Sequence, residues 1–189
     1  ESVRVSSDND DAEERVSDGD MSRGSSDLEL GYDGNTRQIV GMRFRSVDIP
    51  QGATINSAYI EFTTDETDSG ATSLVIFGEA DDSPNQFANN DDNISDRTKT
   101  SNANSVNWSP SAWNTTNELH QTPDISSIIQ EIVGRTGWAA NNNLVIIIEP
   151  GSGCNSRDCQ RTAESHDGES GSAPLLVVDY TVAATQLAV

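Results

Sequence analysis

The sequence predicts an all-β protein: an antiparallel two-sheet β-sandwich of the jelly-roll type, with one short helix near residues 123–133. Three observations predict this fold class. Short apolar segments recur along the chain, clusters of Gly, Pro, Asn and Asp separate them, and only one segment has the periodicity of a helix. The 189 residues are enough for one domain with a buried core.

Two kinds of pattern mark the strands. Residues 26–31, 38–49 and 58–63 alternate polar with apolar side chains, which is typical of strands with one face on the core. Three further segments are nearly continuous apolar runs, which indicates deeper burial: 73–78, 144–148 and 175–180.

A single amphipathic helix is predicted after Thr122. Apolar residues stand at positions 125, 128, 129, 132 and 133, which is the spacing of a stripe along one helix face. Thr122 suits the N-cap, Pro123 the first helical position and Gly134 the C-terminal end.

The composition excludes several classes of partner. The chain has 31 Asp and Glu against 11 Lys and Arg, which gives a formal net charge of −20. Such an acidic surface repels phosphate, so we expect neither nucleic acid nor an anionic membrane as a partner. No apolar run is long enough to cross a bilayer. Low hydrophobicity with high charge also occurs in disordered chains, but the apolar strands argue against disorder here.

Cys154 and Cys159 form a C-x4-C pair in a stretch rich in Gly, Ser and Asn. A closed zinc site needs four ligands, and the sequence offers neither a second pair nor a histidine cluster beside this one. A short-loop disulfide is therefore favoured over two free thiols. It predicts an oxidising compartment, so we expect a secreted or extracellular protein.

One domain is expected at 1–181, followed by a linker or tail at 182–189. We interpret the domain as a monomeric module of a longer protein. The polar stretch 81–107 has few apolar anchors, and loops of that length usually have a function or bind an ion.

Several segments follow the pattern of one known family. They are, in chain order, Arg43-Phe44, 49–62 (IPQGATINSAYIEF), 122–125 (TPDI) with the helix, Gly137-Trp138, 144–148 and the strand after Ala173-Pro174. The chain resembles the DNRLRE-type jelly-roll modules, similar to carbohydrate-binding module family 96, that bacterial polysaccharide-degrading enzymes carry. The resemblance extends from about residue 3 to residue 181. Residues 6–14 replace the family's opening sequence, and the C-x4-C loop is an addition.

The resemblance implies a non-catalytic carbohydrate-binding module of a secreted bacterial enzyme, with a glycoside hydrolase or polysaccharide lyase domain in the same parent chain. It also implies a marine algal polysaccharide as ligand. The net charge of −20 opposes binding of polyanions, so an agar-type galactan is favoured over alginate. The alternative is a structural or adhesive spacer domain of a large surface protein.

Catalysis by this chain is the third hypothesis and is not favoured. His120 and His166 lie far apart in sequence, and neither belongs to a Ser/His/Asp or Cys/His motif. Carboxylates are so numerous that no pair for glycoside hydrolysis can be singled out.

The segment 6–14 predicts a structural calcium ion. It concentrates oxygen ligands, of which we select Asp8, Asp10, Asp11 and Glu13, and calcium prefers oxygen ligands. The segment lacks the glycine and the spacing of an EF-hand loop. A solvated acidic surface is the alternative. Further acidic clusters lie at Glu79 with 81–82, at 91–92 and at 164–169.

Aromatic and charged side chains give the candidate sugar contacts. Trp108 and Trp113 are predicted to stack on sugar rings, with packing in the core as the alternative, whereas Trp138 is interpreted as core. If their strands are neighbours, a second surface combines Tyr59 and Glu61 with Arg43 and Arg45: a stacking ring beside hydrogen-bonding charges. The alternative is an ordinary outer face.

The loop after Cys154 offers a third candidate. Arg157, Arg161 and His166 follow the first cysteine, and a disulfide would hold the loop in one conformation. Preorganisation of this kind favours binding. The alternative is a purely structural loop.

Overall fold

The computed structural model describes residues 1–183 as an all-β sandwich with one short helix, which confirms the predicted fold class. The elements are, in chain order, β1 (Ser2–Arg4), β2 (Asp11–Arg15), β3 (Met21–Ser22), β4 (Asp27–Asp33), β5 (Thr36–Val47), β6 (Thr54–Glu66), β7 (Leu74–Gly78), β8 (Val106–Trp108), β9 (Leu119–Gln121), α1 (Ser126–Val133), β10 (Asn142–Pro150), β11 (Arg161–Glu164) and β12 (Leu175–Thr181).

The strands form two layers, and all of the described strand pairs are antiparallel. In one layer β12 pairs with β1 and β6, and β6 also pairs with β9. In the other layer β5 pairs with β2 and β10, followed outward by β7 and β8. Ser2 pairs with Val177, so the first strand lies beside the last one.

Two strands connect the layers. β4 pairs with β5 through Gly31, Tyr32 and Asp33, and then pairs with β11 through residues 27–30. β11 in turn pairs with β6. The N-terminal part of β4 therefore pairs with β11 and its C-terminal part pairs with β5. The two layers separate at the point within β4 where its partner changes.

The main core lies between the layers. Met42 and Phe44 of β5 and Ile60 and Phe62 of β6 are fully buried in one apolar cluster. Helix α1 adds the side chains that its periodicity predicts, namely Ile128, Ile129, Ile132 and Val133. The same alternation that predicts the strands thus builds the core.

The helix begins later than its capping residues predict. α1 starts at Ser126 without a side-chain cap. Thr122 Oγ1 instead accepts a hydrogen bond from the N–H of Ile60, at 3.1 Å, so the predicted cap is engaged with β6. Asp124 Oδ1 accepts the N–H of Ser126 at 3.1 Å.

Strand β2 overlaps the acidic segment 6–14. Its residues Asp11–Arg15 pair with β5, from Asp11 opposite Met42 to Arg15 opposite Gln38. Ala12 is its one apolar residue, so alternation of hydrophobicity cannot reveal it. This segment is a strand because its backbone pairs with β5.

The long polar stretch folds over the outer face of β5 and β10. Phe87 and Ile94 are fully buried there, in a second small core with Ile39, Val145 and Ile147. The stretch is therefore a cover with two apolar anchors, which explains how so polar a segment stays ordered.

Arg97 holds this cover in place. Its guanidinium lies 4.4 Å from the centre of the Phe87 ring, and Nη1 lies 2.7 Å from Glu79 Oε2. Nε donates to the carbonyl of Asn93 at 2.9 Å. One cation thus joins the apolar anchor, a carboxylate and the backbone of the loop.

Two expectations concern membranes and the tail. Within residues 1–183, no helix combines the length and the apolar character that membrane crossing requires. Of the predicted linker at 182–189, residues 184–189 lie outside the described residues.

Gly41 provides a test of the cover. A Cβ at this position would lie 2.5 Å from the Phe87 ring, so Gly41→Ala must displace the anchor. We expect a loss of about 1–3 kcal/mol in the free energy of unfolding, measured by denaturant titration. Gly24→Ala is the matched control, because no atom lies within 4 Å of a Cβ there. Equal stability of the two variants would contradict the assigned packing.

Candidate functional site

Strand β2 and the residue before it carry four buried carboxylates. Asp10, Asp11, Glu13 and Glu14 are each at most 4% exposed. A carboxylate in such a position is stable only when hydrogen bonds or charges replace its lost hydration. Each of the four has such a partner, and the partners belong to different parts of the fold.

Two of these carboxylates make contacts on the outer face of the layer that contains β5. Asp10 Oδ1 lies 2.6 Å from Nη1 of Arg43, and the Arg43 side chain is itself largely buried. Glu14 Oε2 accepts the backbone N–H groups of Ile94 and Ser95 at 2.6 and 2.9 Å. Both contacts therefore serve the structure rather than a ligand.

The other two carboxylates hold segments near the junction of the layers. Asp11 Oδ2 accepts the N–H of His166 at 2.8 Å. Glu13 Oε1 accepts the N–H of Glu29 at 2.7 Å. The N–H of Glu29 faces the place where β4 has left β5, so a side chain supplies the acceptor that a neighbouring strand would otherwise provide.

The structure does not bring the four predicted calcium ligands together. Asp10 forms an ion pair with Arg43. Asp11 and Glu13 accept hydrogen bonds from different backbone N–H groups. The Asp8 side chain is 75% exposed. The four side chains therefore do not form one calcium site by themselves, because each of the buried carboxylates has a separate partner. The expected calcium ion itself stays a prediction.

Two other groups of side chains have the spacing of metal ligands among residues 1–183. Asp8, His166 and Asp167 have donor atoms within 4.8 Å of one another, and so do the carboxylates of Asp27 with 65–66. His166 Nδ1 lies 3.2 Å from Asp8 Oδ1. Both groups are partly exposed, and exposed acidic groups are common without an ion.

The environment of Asp11 is unfavourable for a negative charge. Burial, and to a smaller extent nearby Asp167, raise the pKa of Asp11 from 3.8 to about 6, although the hydrogen bond from the N–H of His166 opposes the increase. The ionised form of Asp11, which predominates at neutral pH, therefore lowers the free energy of unfolding.

Both candidate tryptophans are core residues. Trp108 is 5% exposed and stacks on Phe62 at 5.9 Å between ring centroids, and Trp113 is 1% exposed and stacks on His120 at 4.7 Å. A sugar cannot reach either ring face in this structure. The packing interpretation replaces the stacking one, because the rings fill the space beside β6.

The predicted surface of Tyr59, Glu61, Arg43 and Arg45 does not form. Tyr59 and Glu61 lie on β6, whereas both arginines lie on β5 in the other layer. Arg43 is also engaged by Asp10, and Arg45 Nε lies 3.8 Å from the same carboxylate. The correction follows from the topology: β5 and β6 are consecutive in sequence but lie in different layers.

Arg161 is a buried structural residue rather than a surface contact. It is 1% exposed and donates to backbone oxygens of Gly70 at 2.9 Å, Pro110 at 3.1 Å and Ser111 at 2.8 Å. Nη1 also donates to Thr72 Oγ1 at 2.8 Å. Its guanidinium thus joins three chain segments.

An open groove of about 730 Å³ lies beside the disulfide loop. Two segments line it, 67–71 and 155–160, together with Gly34 and Gly153. The predicted disulfide between Cys154 and Cys159 is formed and holds the second segment. Of the candidate ligand residues in this loop, Arg157 lines the groove and is exposed.

The two walls of the groove are in close contact at one point. A Cβ on Gly70 would lie 1.9 Å from the carbonyl oxygen of Asp158, so only glycine fits there. Asp68 Oδ2 accepts the N–H and the hydroxyl of Thr162, both at 3.1 Å. The wall at 67–71 was not expected from sequence, because nothing in a short polar turn between strands indicates its distant partner.

Comparison with models of protein families finds no match, and no curated protein is significantly similar to the chain. The family resemblance of the sequence therefore stays a prediction. Function has to be inferred from the groove and the buried carboxylates themselves.

Asp11 allows a test of the electrostatics. Its folded-state pKa lies above the unfolded value, so its protonation stabilises the fold below pH 4 and this contribution is lost as pH rises through about 6. Asp11→Asn keeps an acceptor for the N–H of His166 and removes the charge. We expect Asn to be more stable than wild type at pH 8, by about 3 kcal/mol, and the difference to vanish below about pH 3. Unfolding should be measured in EDTA, so that no bound cation contributes. The exposed Asp91→Asn is the control, and a pH-independent difference would contradict the prediction.

Proposed function

We propose that this chain is a non-catalytic carbohydrate-binding module of a secreted bacterial enzyme. The observation that carries the proposal is the open, polar groove beside the disulfide, between segments 67–71 and 155–160. The resemblance of the sequence to DNRLRE-type modules supports the same function. A catalytic domain in the parent chain would act on the polysaccharide that this groove holds.

The side chains that line the groove are suited to bind a hydroxyl-rich ligand. Arg157 and Asn155 offer N–H donors, and Asp68 and Asp158 offer carboxylate acceptors. Its lining includes no aromatic side chain among the described residues. A sugar would therefore be held by hydrogen bonds to its hydroxyl groups rather than by ring stacking.

Several contacts keep the groove in one shape before a ligand arrives. The disulfide closes one wall, and Arg161 ties the other wall to the 110–111 segment. Walls that are already ordered lose little conformational entropy on binding. This rigidity supports recognition by hydrogen bonds, whose strength depends on geometry.

Charge favours a neutral polysaccharide. Arg157 is accompanied by Asp68 and Asp158 in the groove, and the whole chain carries −20. A polyanion such as alginate would be repelled at long range and would meet one exposed guanidinium in the groove. An agar-type galactan meets no such barrier, so it is our first choice of ligand and alginate is the second.

The proposed function also implies that the protein is secreted. The disulfide is compatible with an oxidising extracellular location, where such bonds persist.

A structural or adhesive spacer is the second candidate function. The burial of Trp108, Trp113 and Trp138 favours it, because none of the three tryptophans is available as a stacking platform for sugars. A spacer needs only the sandwich, whereas a binding module needs the groove to retain a ligand.

Affinity electrophoresis separates these functions. Native gels containing agarose, alginate or no polysaccharide should show retardation by agarose, little changed by added salt. Binding to alginate through arginine should weaken with salt. Retardation by neither polysaccharide would favour the spacer, and salt-sensitive retardation by alginate alone would reverse the order of the two ligands.

Arg157 tests the position of the binding site. We expect Arg157→Ala to lower the affinity for agarose oligosaccharides about 10-fold, because a hydrogen bond from a charged donor contributes about 1.5 kcal/mol. Arg45→Ala is the matched control: it removes an exposed arginine that does not line the groove and should leave affinity unchanged. Isothermal titration calorimetry gives both affinities, and the same loss in both variants would remove the groove assignment.

A further inference from the structure

A polar cleft of about 310 Å³ lies where β4 separates from β5. Glu13 of β2, Glu29 and Asp33 of β4 and Gln38 of β5 line it. The register brings these strands together, because Gln38 pairs with Arg15 on one side and with Gly31 on the other. The cleft is separate from the groove at the disulfide.

Two carboxyl groups meet in this cleft. Glu13 is 4% exposed, and its Oε1 accepts the N–H of Glu29 at 2.7 Å. The side chains of Glu13 and Glu29 also lie within hydrogen-bonding distance of each other. Within residues 1–183, neither carboxyl group forms an ion pair with a cationic side chain.

Gln38 gives an independent indication of a missing partner. It is 8% exposed, and its side-chain Oε1 is buried without a hydrogen bond from any residue of 1–183. A buried amide oxygen without a donor is costly. A cation in the cleft would satisfy this oxygen, whereas it would not satisfy an N–H group.

The one arginine at the cleft does not neutralise these groups. Arg15 is engaged at the rim, where its guanidinium pairs with Asp18, at 3.1 Å, and with Asp20. Asp33 adds a further carboxylate to the lining. The interior of the cleft therefore presents carboxyl oxygens that the guanidinium of Arg15 does not reach.

We propose that this cleft binds a calcium ion through Glu13, Glu29 and Gln38. All three supply oxygen, which calcium and magnesium prefer over nitrogen or sulfur ligands. The cleft has room for an ion with bound water, and calcium accepts the irregular coordination of such a site more readily than the smaller magnesium, which requires near-ideal octahedral geometry. The ion would join β2, β4 and β5 where the layers separate, so it stabilises the fold rather than contacting the polysaccharide.

Calcium titration of the full chain tests this site. Calorimetry of EDTA-treated protein with calcium chloride should show one ion bound, and magnesium chloride should bind at least 10-fold more weakly. At a calcium concentration 100-fold above Kd, the melting temperature should rise by about 5–10 °C. No heat of binding and no change in melting temperature would overturn the proposal.

Variants assign the site within the fold. Glu29→Gln and Gln38→Met should each weaken calcium binding at least 10-fold, and Glu13→Gln should do the same while keeping an acceptor for the N–H of Glu29. Asp91→Asn, which removes an exposed charge outside the cleft, should bind as wild type does. If Glu13→Gln does not fold, the other two variants decide. Calcium binding that survives in both of them, but is lost in Asp8→Asn or Asp65→Asn, would place the ion elsewhere and overturn the proposal.

Discussion

The architecture depends on a strand of buried carboxylates. β2 presents Asp11, Glu13 and Glu14 to backbone N–H groups that have no strand partner, while Asp10 holds Arg43. A carboxylate has two oxygens on a flexible stem, so it can reach donors that a neighbouring strand could not. This lets β4 pass from one layer to the other and lets a long polar segment cover β5. The same arrangement concentrates negative charge in the interior, which stabilises the fold only where donors or cations balance it.

Much of the fold could be predicted because hydrophobic alternation reports burial directly. The segments around Val40, Ile60 and Ile146 are strands, and the stripe ending at Val133 is a helix, as their periodicities indicate. β2 could not be predicted, because its buried face is acidic and is satisfied by residues far away in sequence, such as His166.

The site was less predictable than the fold for the same reason. The disulfide and the exposed position of Arg157 follow from local sequence, and both agree with the structure. Arg161 and Trp113 are of residue types that bind sugars, yet long-range packing buries them. Whether an arginine is a ligand contact or a structural residue depends on neighbours that sequence spacing does not specify.

The pairing of β1 with β12 has a mechanical consequence. Because Ser2 lies opposite Val177 and the strands are antiparallel, both ends of the described chain leave the sandwich at the same end of this pair. A pulling force applied through the two ends would separate the strands like a zipper, one hydrogen bond at a time, instead of shearing all the bonds together. Since each bond contributes only about 1 kcal/mol, this edge would yield at low force. Tension applied at both ends of the described chain would therefore detach β1 before it disturbs the groove or the acidic cleft.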